Sequence, residues 1–446
     1  MPREIRYYVL LEKTDAELLQ RYRHANLDAV SNVLKANLPP HLQGVFRVES
    51  LPSNDIGIVG GGPPPPFEKA PDALVVGIRV DADAVDDFHD AVNSQSRPTQ
   101  LQGGGIDLPI ASTDHWCPGE ATDPIFADRT AAELLLHIPE FRRQPGTDGA
   151  GINVVVIDHG LDRSQLQGNY HSGWKVGDTE PGMTTHAPDS VRRGHGMMIA
   201  NNIWHVAPGV RLFDMPLIQP QGITNIPQFL SVAYPAYLQM LADIRQFGGG
   251  RWVLVNPWAV FDTRTDLAPP RDYCANRDDR FNRKVIEAVA LGIVVVFAAG
   301  NCGQFCPDRR CGPADRGPSH SIHGANSLPE VLTVGAVRAD NMWLGYSSQG
   351  PGRIGPPANQ KPDLCASSQF RESDDAFKIN TGTSAACALT AGVVAGLLSK
   401  WSTLTSAAIN RILTTTATPA QPPSPDRFGA GILNAEEAYN RAPTLA

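Results

Sequence analysis

Three side chains that together can activate a hydroxyl stand at strand ends or helix starts of this sequence, and a fourth can polarise a carbonyl. Asp158 follows the apolar run Val154-Val155-Val156-Ile157, and His195 stands in Arg193-Gly194-His195-Gly196-Met197-Met198. Ser384 stands in Asn380-Thr381-Gly382-Thr383-Ser384-Ala385-Ala386, at the head of a small-residue helix, and Asn301 closes Val294-Val295-Val296-Phe297-Ala298-Ala299-Gly300. A serine hydroxyl is a weak nucleophile and needs a neutral imidazole to take its proton. The imidazole needs a buried carboxylate to fix its tautomer and stabilise the imidazolium. The oxyanion formed on attack needs pre-aimed donors, which a side-chain amide and a backbone N–H at a helix start can supply. Each segment alone has a plainer explanation: a helix cap for Asp158, a structural His-Gly pair, a helix N-cap for Ser384. The joint occurrence, in the order Asp, His, Asn, Ser, is what points to chemistry.

The elements that must position these groups are legible as apolar runs at 152–157, 210–217, 252–255, 293–298 and 331–337, each followed by a helical pattern. Strands that are apolar on both faces and alternate with helices predict a parallel sheet covered on both sides, an α/β architecture. Sites in such sheets sit at the carboxyl ends of the strands, where Asp158 and Asn301 fall. Composition divides the chain into a first domain, 1–140, and a second, 141–446. The first is interrupted by Gly60-Gly61-Gly62-Pro63-Pro64-Pro65-Pro66 and by Gln102-Gly103-Gly104-Gly105. Its pattern reads strand 7–12, helix 16–38, strands 45–50 and 73–80, helix 81–92 and a last strand 106–110. That order is a β-α-β-β-α-β unit, a smaller α+β domain.

Composition narrows the function classes. With 42 % hydrophobic residues over 446, the chain can build a real core. Lysine plus arginine number 38 against 46 acidic residues, a net charge of −8, so a phosphate-tracking basic face is not expected and nucleic acid is not an expected partner. No run of about 18 apolar residues is present, so no membrane partner is expected. The start lacks the long apolar segment of a secretory leader, which gives an expectation of cytoplasmic residence. Seven cysteines are too few for a disulfide scaffold. Cys302, Cys306 and Cys311, with His320 and His323 downstream, offer a zinc site, a disulfide or plain thiols; the spacing lacks a Cys-x-x-Cys knuckle, which favours the latter two.

The four segments and their order resemble the subtilisin-like serine proteases over roughly residues 150–440. Val206-Ala207-Pro208-Gly209-Val210, Tyr346-Ser347-Ser348-Gln349-Gly350-Pro351, Lys361-Pro362-Asp363 and Phe428-Gly429-Ala430-Gly431 carry the same resemblance. It implies a three-layer subtilisin-like sandwich, a triad of Asp158, His195 and Ser384, and Asn301 as oxyanion donor. It implies a serine endopeptidase acting on peptides or proteins through an acyl-enzyme, with no cofactor. It also implies that Val255, Asn256, Pro257, Trp258 and Ala259 form one wall of the substrate site and Ala298, Ala299 and Gly300 another. Trp258 either narrows that pocket or packs into the core.

Departures from the family pattern keep a catalytically silent, peptide- or partner-binding fold as the alternative. His159 replaces Ser or Thr after the aspartate, Met197 replaces Thr or Ser after His-Gly, and Ala388 replaces Pro. Pro257 lacks an N–H but keeps the carbonyl that an incoming peptide needs. The histidine helix runs straight into Ala207-Pro208, without room for the oxygen-rich calcium loop of many relatives, so no metal is expected there. Many family members carry a small prodomain that packs on the catalytic domain and sends its tail into the active site. Residues 1–140 are expected to dock in that manner. Processing of an intracellular precursor is the expected task, and ligation or cyclisation would share the same acyl-enzyme.

Overall fold

The computed structural model describes residues 4–12, 27–50, 73–112, 127–166, 168–177, 179–184, 194–218, 228–247, 250–355, 359–372 and 379–445. The first part folds into a four-stranded antiparallel sheet of β1 (Glu4–Glu12), β2 (Phe46–Ser50), β3 (Ala73–Asp81) and β4 (Leu101–Ile106), in the order β2-β3-β1-β4. Helices Leu27–Ala36 and Val85–Asn93 complete the expected β-α-β-β-α-β order. Residues 16–26 of the expected first helix lie outside the described residues. Successive residues of β1 face opposite ways, as strand geometry requires. Tyr7 packs edge-on against Phe88 of its own domain, centroids 5.5 Å apart, while Tyr8 packs on Tyr234 of the second part at 6.0 Å.

The glycine run is where the expectation fails. Residues 102–105, read as a break, lie inside β4, and the strand expected at 106–110 is divided at Asp107. The cause is the pair of tyrosines on β1. A Cβ at Gly104 would stand 2.4 Å from the Tyr8 carbonyl and 2.6 Å from the Tyr7 ring, so only glycine lets β4 pair there. Beyond Asp107 the chain leaves this sheet and forms a separate strand, β5 (Pro109–Ser112).

After the two-residue β6 (Ala127–Asp128) and helices Arg129–Leu135 and Ile138–Arg142 come β7 (Ile152–Ile157), β8 (Tyr170–Gly173), β9 (Arg211–Met215) and β10 (Gln228–Phe229). Then follow β11 (Arg251–Asn256), β12 (Trp258–Val260), β13 (Val294–Ala298), β14 (Leu332–Val337), β15 (Leu364–Ser367), β16 (Phe370–Arg371) and β17 (Ile379–Asn380). Seven of them make a parallel sheet in the order β15-β14-β13-β11-β7-β9-β8.

Alternate residues of its strands feed two cores. Val154, Val156, Val253, Val255, Val294 and Val296 pack against helices His195–Val206 and Gly382–Lys400. Val155, Ile157, Leu254, Val295 and Phe297 pack towards helices Leu230–Phe247 and Arg280–Ala290, and that core runs on into the N-terminal sheet. This is the three-layer sandwich. Helix Gly382–Lys400 is long and apolar enough to cross a membrane, yet it is almost wholly buried in the core.

Ala132, Leu136, Ile138 and Phe141 belong to the first of these cores, so the segment 127–142 is packed with the parallel sheet although composition puts the boundary near 140. Composition does not see this because the two helices are short and mixed in character.

The two parts meet along a continuous seam. Strand β5 is antiparallel to both β10 and β12, with Ile110 opposite Val260, Ala111 opposite Ala259 and Ser112 opposite Trp258. Asp107 accepts from the Ser231 N–H at 2.8 Å and the Ser231 hydroxyl at 3.0 Å, at the start of helix Leu230–Phe247. A carboxylate there meets unsatisfied N–H groups and the positive end of the helix. Arg271 grips Asp90 through two bonds of 2.6 and 2.7 Å, Arg280 donates to Asn93, and Arg6 lies 3.8 Å over the Phe229 ring.

Candidate active site

Asp158 and Asn301 fall beyond the carboxyl ends of β7 and β13, which are two strands apart with β11 between them. His195 is the first residue of its helix and Ser384 the third of its own, and these two helices pack against one another. The Asp158 Oδ2 to His195 Nδ1 distance is 2.5 Å, and both side chains are buried. Close approach of these two loops depends on glycine: a Cβ at Gly196 would stand 2.2 Å from the Gly160 carbonyl. The Ser384 hydroxyl lies 3.3 Å from the Pro257 carbonyl, and Gly382, at φ +69°, turns the chain into the helix that carries it.

Thr383 orients Asn301. Its backbone N–H (3.1 Å) and its hydroxyl (3.0 Å) both donate to Asn301 Oδ1, and that hydroxyl accepts from the Gly300 N–H at 3.2 Å. A backbone N–H can only donate, so the amide oxygen must face Thr383 and Nδ2 must face the other way. The sequence reading did not single out Thr383, although it is the middle residue of the Gly-Thr-Ser motif.

The expected substrate walls divide into backbone and side chain. Strand β12 offers its backbone to β5, while Trp258 is fully buried between Phe281 and Phe297, at 5.8 and 5.4 Å. Of the two expectations for Trp258, core packing is the one realised. Val255 packs in the core, and Asn256 accepts a hydrogen bond from the Tyr237 hydroxyl, so neither side chain faces β5. A strand buried on both faces leaves them no other direction. Ala298 is tied through its carbonyl to Asn326 at 2.9 Å, Ala299 through its N–H to Val334, and Gly300 holds φ +104°.

The departures from the family pattern have visible packing. The Met197 sulfur accepts from the Asp162 N–H at 3.2 Å, the His159 ring lies 5.3 Å from that of His195, and Ala388 is buried in its helix. Asp214, at the end of β9, is a buried carboxyl that the sequence reading missed. It accepts from Leu161 N–H (3.0 Å) and Gly182 N–H (2.7 Å) and so holds the loop after Asp158. Burial pushes its pKa up to about 7, with the neighbouring Asp158 charge adding to the rise and the two N–H groups opposing it. An isolated acidic residue in an apolar strand was the available signal.

Cys302 and Cys311 form a disulfide, and Cys306 is disulfide-bonded as well, so the zinc reading of the three thiols does not stand. Among the described residues no group of three His, Cys, Asp or Glu side chains could hold a metal ion. Helix His195–Val206 runs without interruption.

Residues 149–431 match the profile of the Subtilase family. Subtilisin E of Bacillus subtilis (strain 168) is 26 % identical over 303 residues, covering 66 % of this chain and 67 % of its own. Serine protease AprX of the same strain is 28 % identical over 348 residues, covering 69 % and 71 %. Among solved structures, MycP1 from the ESX-1 type VII secretion system aligns with a TM-score of 0.48 and 21 % identity, over 74 % of this chain and 91 % of that one.

Proposed function

The chain belongs to the subtilase family, and we propose that it is an active serine endopeptidase that cleaves peptide bonds through an acyl-enzyme on Ser384. The observation that carries this reading is the 2.5 Å contact of Asp158 with His195, on a helix packed against the one that opens with Ser384 and with Thr383, which aims Asn301. Ser384 Oγ attacks the carbonyl carbon while its proton passes to His195 Nε2, and Asp158 stabilises the imidazolium. Negative charge gathers on the carbonyl oxygen, where Asn301 Nδ2 and the Ser384 backbone N–H donate. The C–N bond then breaks, the imidazolium protonates the leaving amine, and water attacks the ester by the same route in reverse. No cofactor takes part in these steps.

A substrate peptide would lie as β5 does, antiparallel to β12 between that strand and β10. Residues 109–112 thus take the place of a substrate, and Ser384 is fully buried while they do. The N-terminal domain docks on the catalytic domain and restrains it through this strand. The pairing sets Ser112 opposite Trp258, next in sequence to Pro257, whose carbonyl the Ser384 hydroxyl meets at 3.3 Å. A peptide bond shortly beyond Ser112 is therefore the first substrate. A disulfide persists in oxidising surroundings, so Cys302–Cys311 favours such a compartment over the cytoplasmic residence expected from the sequence.

Labelling with a fluorophosphonate tests the reading. The wild-type chain should take one label and Ser384→Ala none; equal labelling of the two, or none of the wild type, would favour the silent, peptide-binding alternative.

A further inference from the structure

A cluster of buried polar groups that the mechanism above does not use ties the segment that opens at Ala127 to the histidine helix and to β17. Arg129, Glu133, Asn202, Glu372 and Asn380 are all 5 % exposed or less. Arg129 donates to both oxygens of Glu372, at 2.5 and 2.7 Å, and to Asn202 Oδ1 at 2.9 Å. Asn202 Nδ2 donates to Asn380 Oδ1 at 2.9 Å, and Asn380 Nδ2 donates to Glu372 Oε1 at 3.1 Å. Each of these contacts pairs a donor with an acceptor. The arginine fixes Asn202 with its oxygen towards Arg129, and the glutamate fixes Asn380 with its nitrogen towards Glu372. The two amides are therefore left with only one way to meet.

The cluster joins the two elements whose relative position the chemistry needs. Asn202 stands seven residues beyond His195 on one helix, about two turns along it and on nearly the same face. Asn380 ends β17, four residues before Ser384. The Asn202–Asn380 bond is a direct side-chain link between the histidine helix and the strand that feeds the serine. A second contact runs beside it, from the Thr381 N–H to the Met198 sulfur at 3.4 Å.

We infer that Asn202 is a positioning residue: bonded to Asn380 and oriented by the Arg129–Glu372 pair, it sets where His195 stands relative to Ser384. A purely apolar contact of the same volume would pack as well but would let the helix slide, because apolar packing has no direction. Hydrogen bonds between groups fixed at their far ends have one geometry, and buried groups that lose it are left unsatisfied. A displacement of about 1 Å between reacting groups is enough to cost about 10²-fold in rate. The inference rests on Ser384 being the nucleophile.

The test is the rate of fluorophosphonate labelling of the full chain at rising reagent concentration, which separates the limiting rate from the apparent affinity. Wild type, Ser384→Ala, Asn202→Ala, Asn380→Ala and the double variant are compared, with thermal unfolding of each. Asn202→Ala should lower the limiting rate about tenfold or more with the apparent affinity within about threefold. The double variant should be no slower than the slower single one, because both changes break the same link. If the wild type does not label, the nucleophile reading fails and the positioning role falls with it. If the wild type labels, folded Asn202→Ala labelling at the wild-type rate, or a loss carried by affinity alone, or losses that multiply in the double variant, would overturn the positioning role only. A chain unable to fold without either amide would make the link a requirement of the fold and would overturn it as well.

Discussion

Glycines on the two sides of the seam do different work. In β4 the run 103–105 makes room for a neighbour's bulk: Gly104 and Gly105 lie against the Tyr7 and Tyr8 rings, and the strand stays a strand. In the parallel-sheet domain Gly196 admits the Gly160 backbone, while Gly160, Gly300 and Gly382 hold positive φ and turn the chain beside Asp158, Asn301 and Ser384. The first use builds a surface with no chemistry of its own, whose outgoing segment becomes β5. The second builds the place that β5 enters. One domain is organised around filling space and the other around leaving it, and β5, between β10 and β12, is where the two meet.

The comparison can be broken most severely on the catalytic side. Asp158→Asn keeps the shape of the buried pair but no longer fixes the imidazole tautomer, and peptide hydrolysis should fall about 10⁴-fold. On the proposed mechanism Asn301→Ala removes one oxyanion donor and should cost about 10²–10³ in kcat with KM little changed. A loss confined to KM would mean that the Thr383-bound amide serves substrate binding instead. On the N-terminal side the effect reverses in sign. Ile110 is buried in β5, so Ile110→Asp should expel the strand and raise the labelling rate of Ser384 about tenfold, since an unpaired buried carboxylate costs several kcal/mol. Unchanged labelling would show that β5 does not restrain the site.

Two smaller effects sharpen the contrast. Asp214 has its pKa raised to about 7 by burial, against an ordinary value of about 3.9. Its ionisation therefore costs the folded state stability that grows from about pH 4 to about pH 7 and is constant above that. Asp214→Asn should gain on the wild type in Tm across that window and show a constant difference above it. A pH-independent difference between the two melting curves would contradict the assignment. At the seam, the Arg271–Asp90 pair is partly exposed, and Arg271→Ala should cost no more than about 1 kcal/mol and less at high salt, measured by denaturant unfolding.

The sequence reading succeeded where a single residue type has few physical roles. Apolar runs alternating with helical patterns left little choice but a parallel sheet, and Asp158, His195, Asn301 and Ser384 were singled out because the proposed chemistry needs those types beside glycine. It failed where a neighbour distant in sequence decides the outcome. Gly103 to Gly105 read as a break because nothing local announces that Tyr7 and Tyr8 will lie across them. The division of 106–110 into the end of β4 and β5 follows from Asp107 meeting the start of helix Leu230–Phe247. Residues 127–140 pack with the parallel sheet, which composition does not show, because Arg129 finds its partners at Glu372 and Asn202. Trp258 could not be decided from the sequence, since its place depends on Phe281 and Phe297 together.

The claim that joins the two halves is that Ser384 faces the end of β5 as it would face a substrate. Intact mass under reducing conditions of the purified full chain, wild type beside Ser384→Ala, measures this directly. The account predicts that the wild type separates into two pieces with a new amino terminus shortly beyond Ser112, while Ser384→Ala remains one chain. A wild-type chain that labels at Ser384 yet stays whole, or a Ser384→Ala chain cut at the same bond, would contradict it.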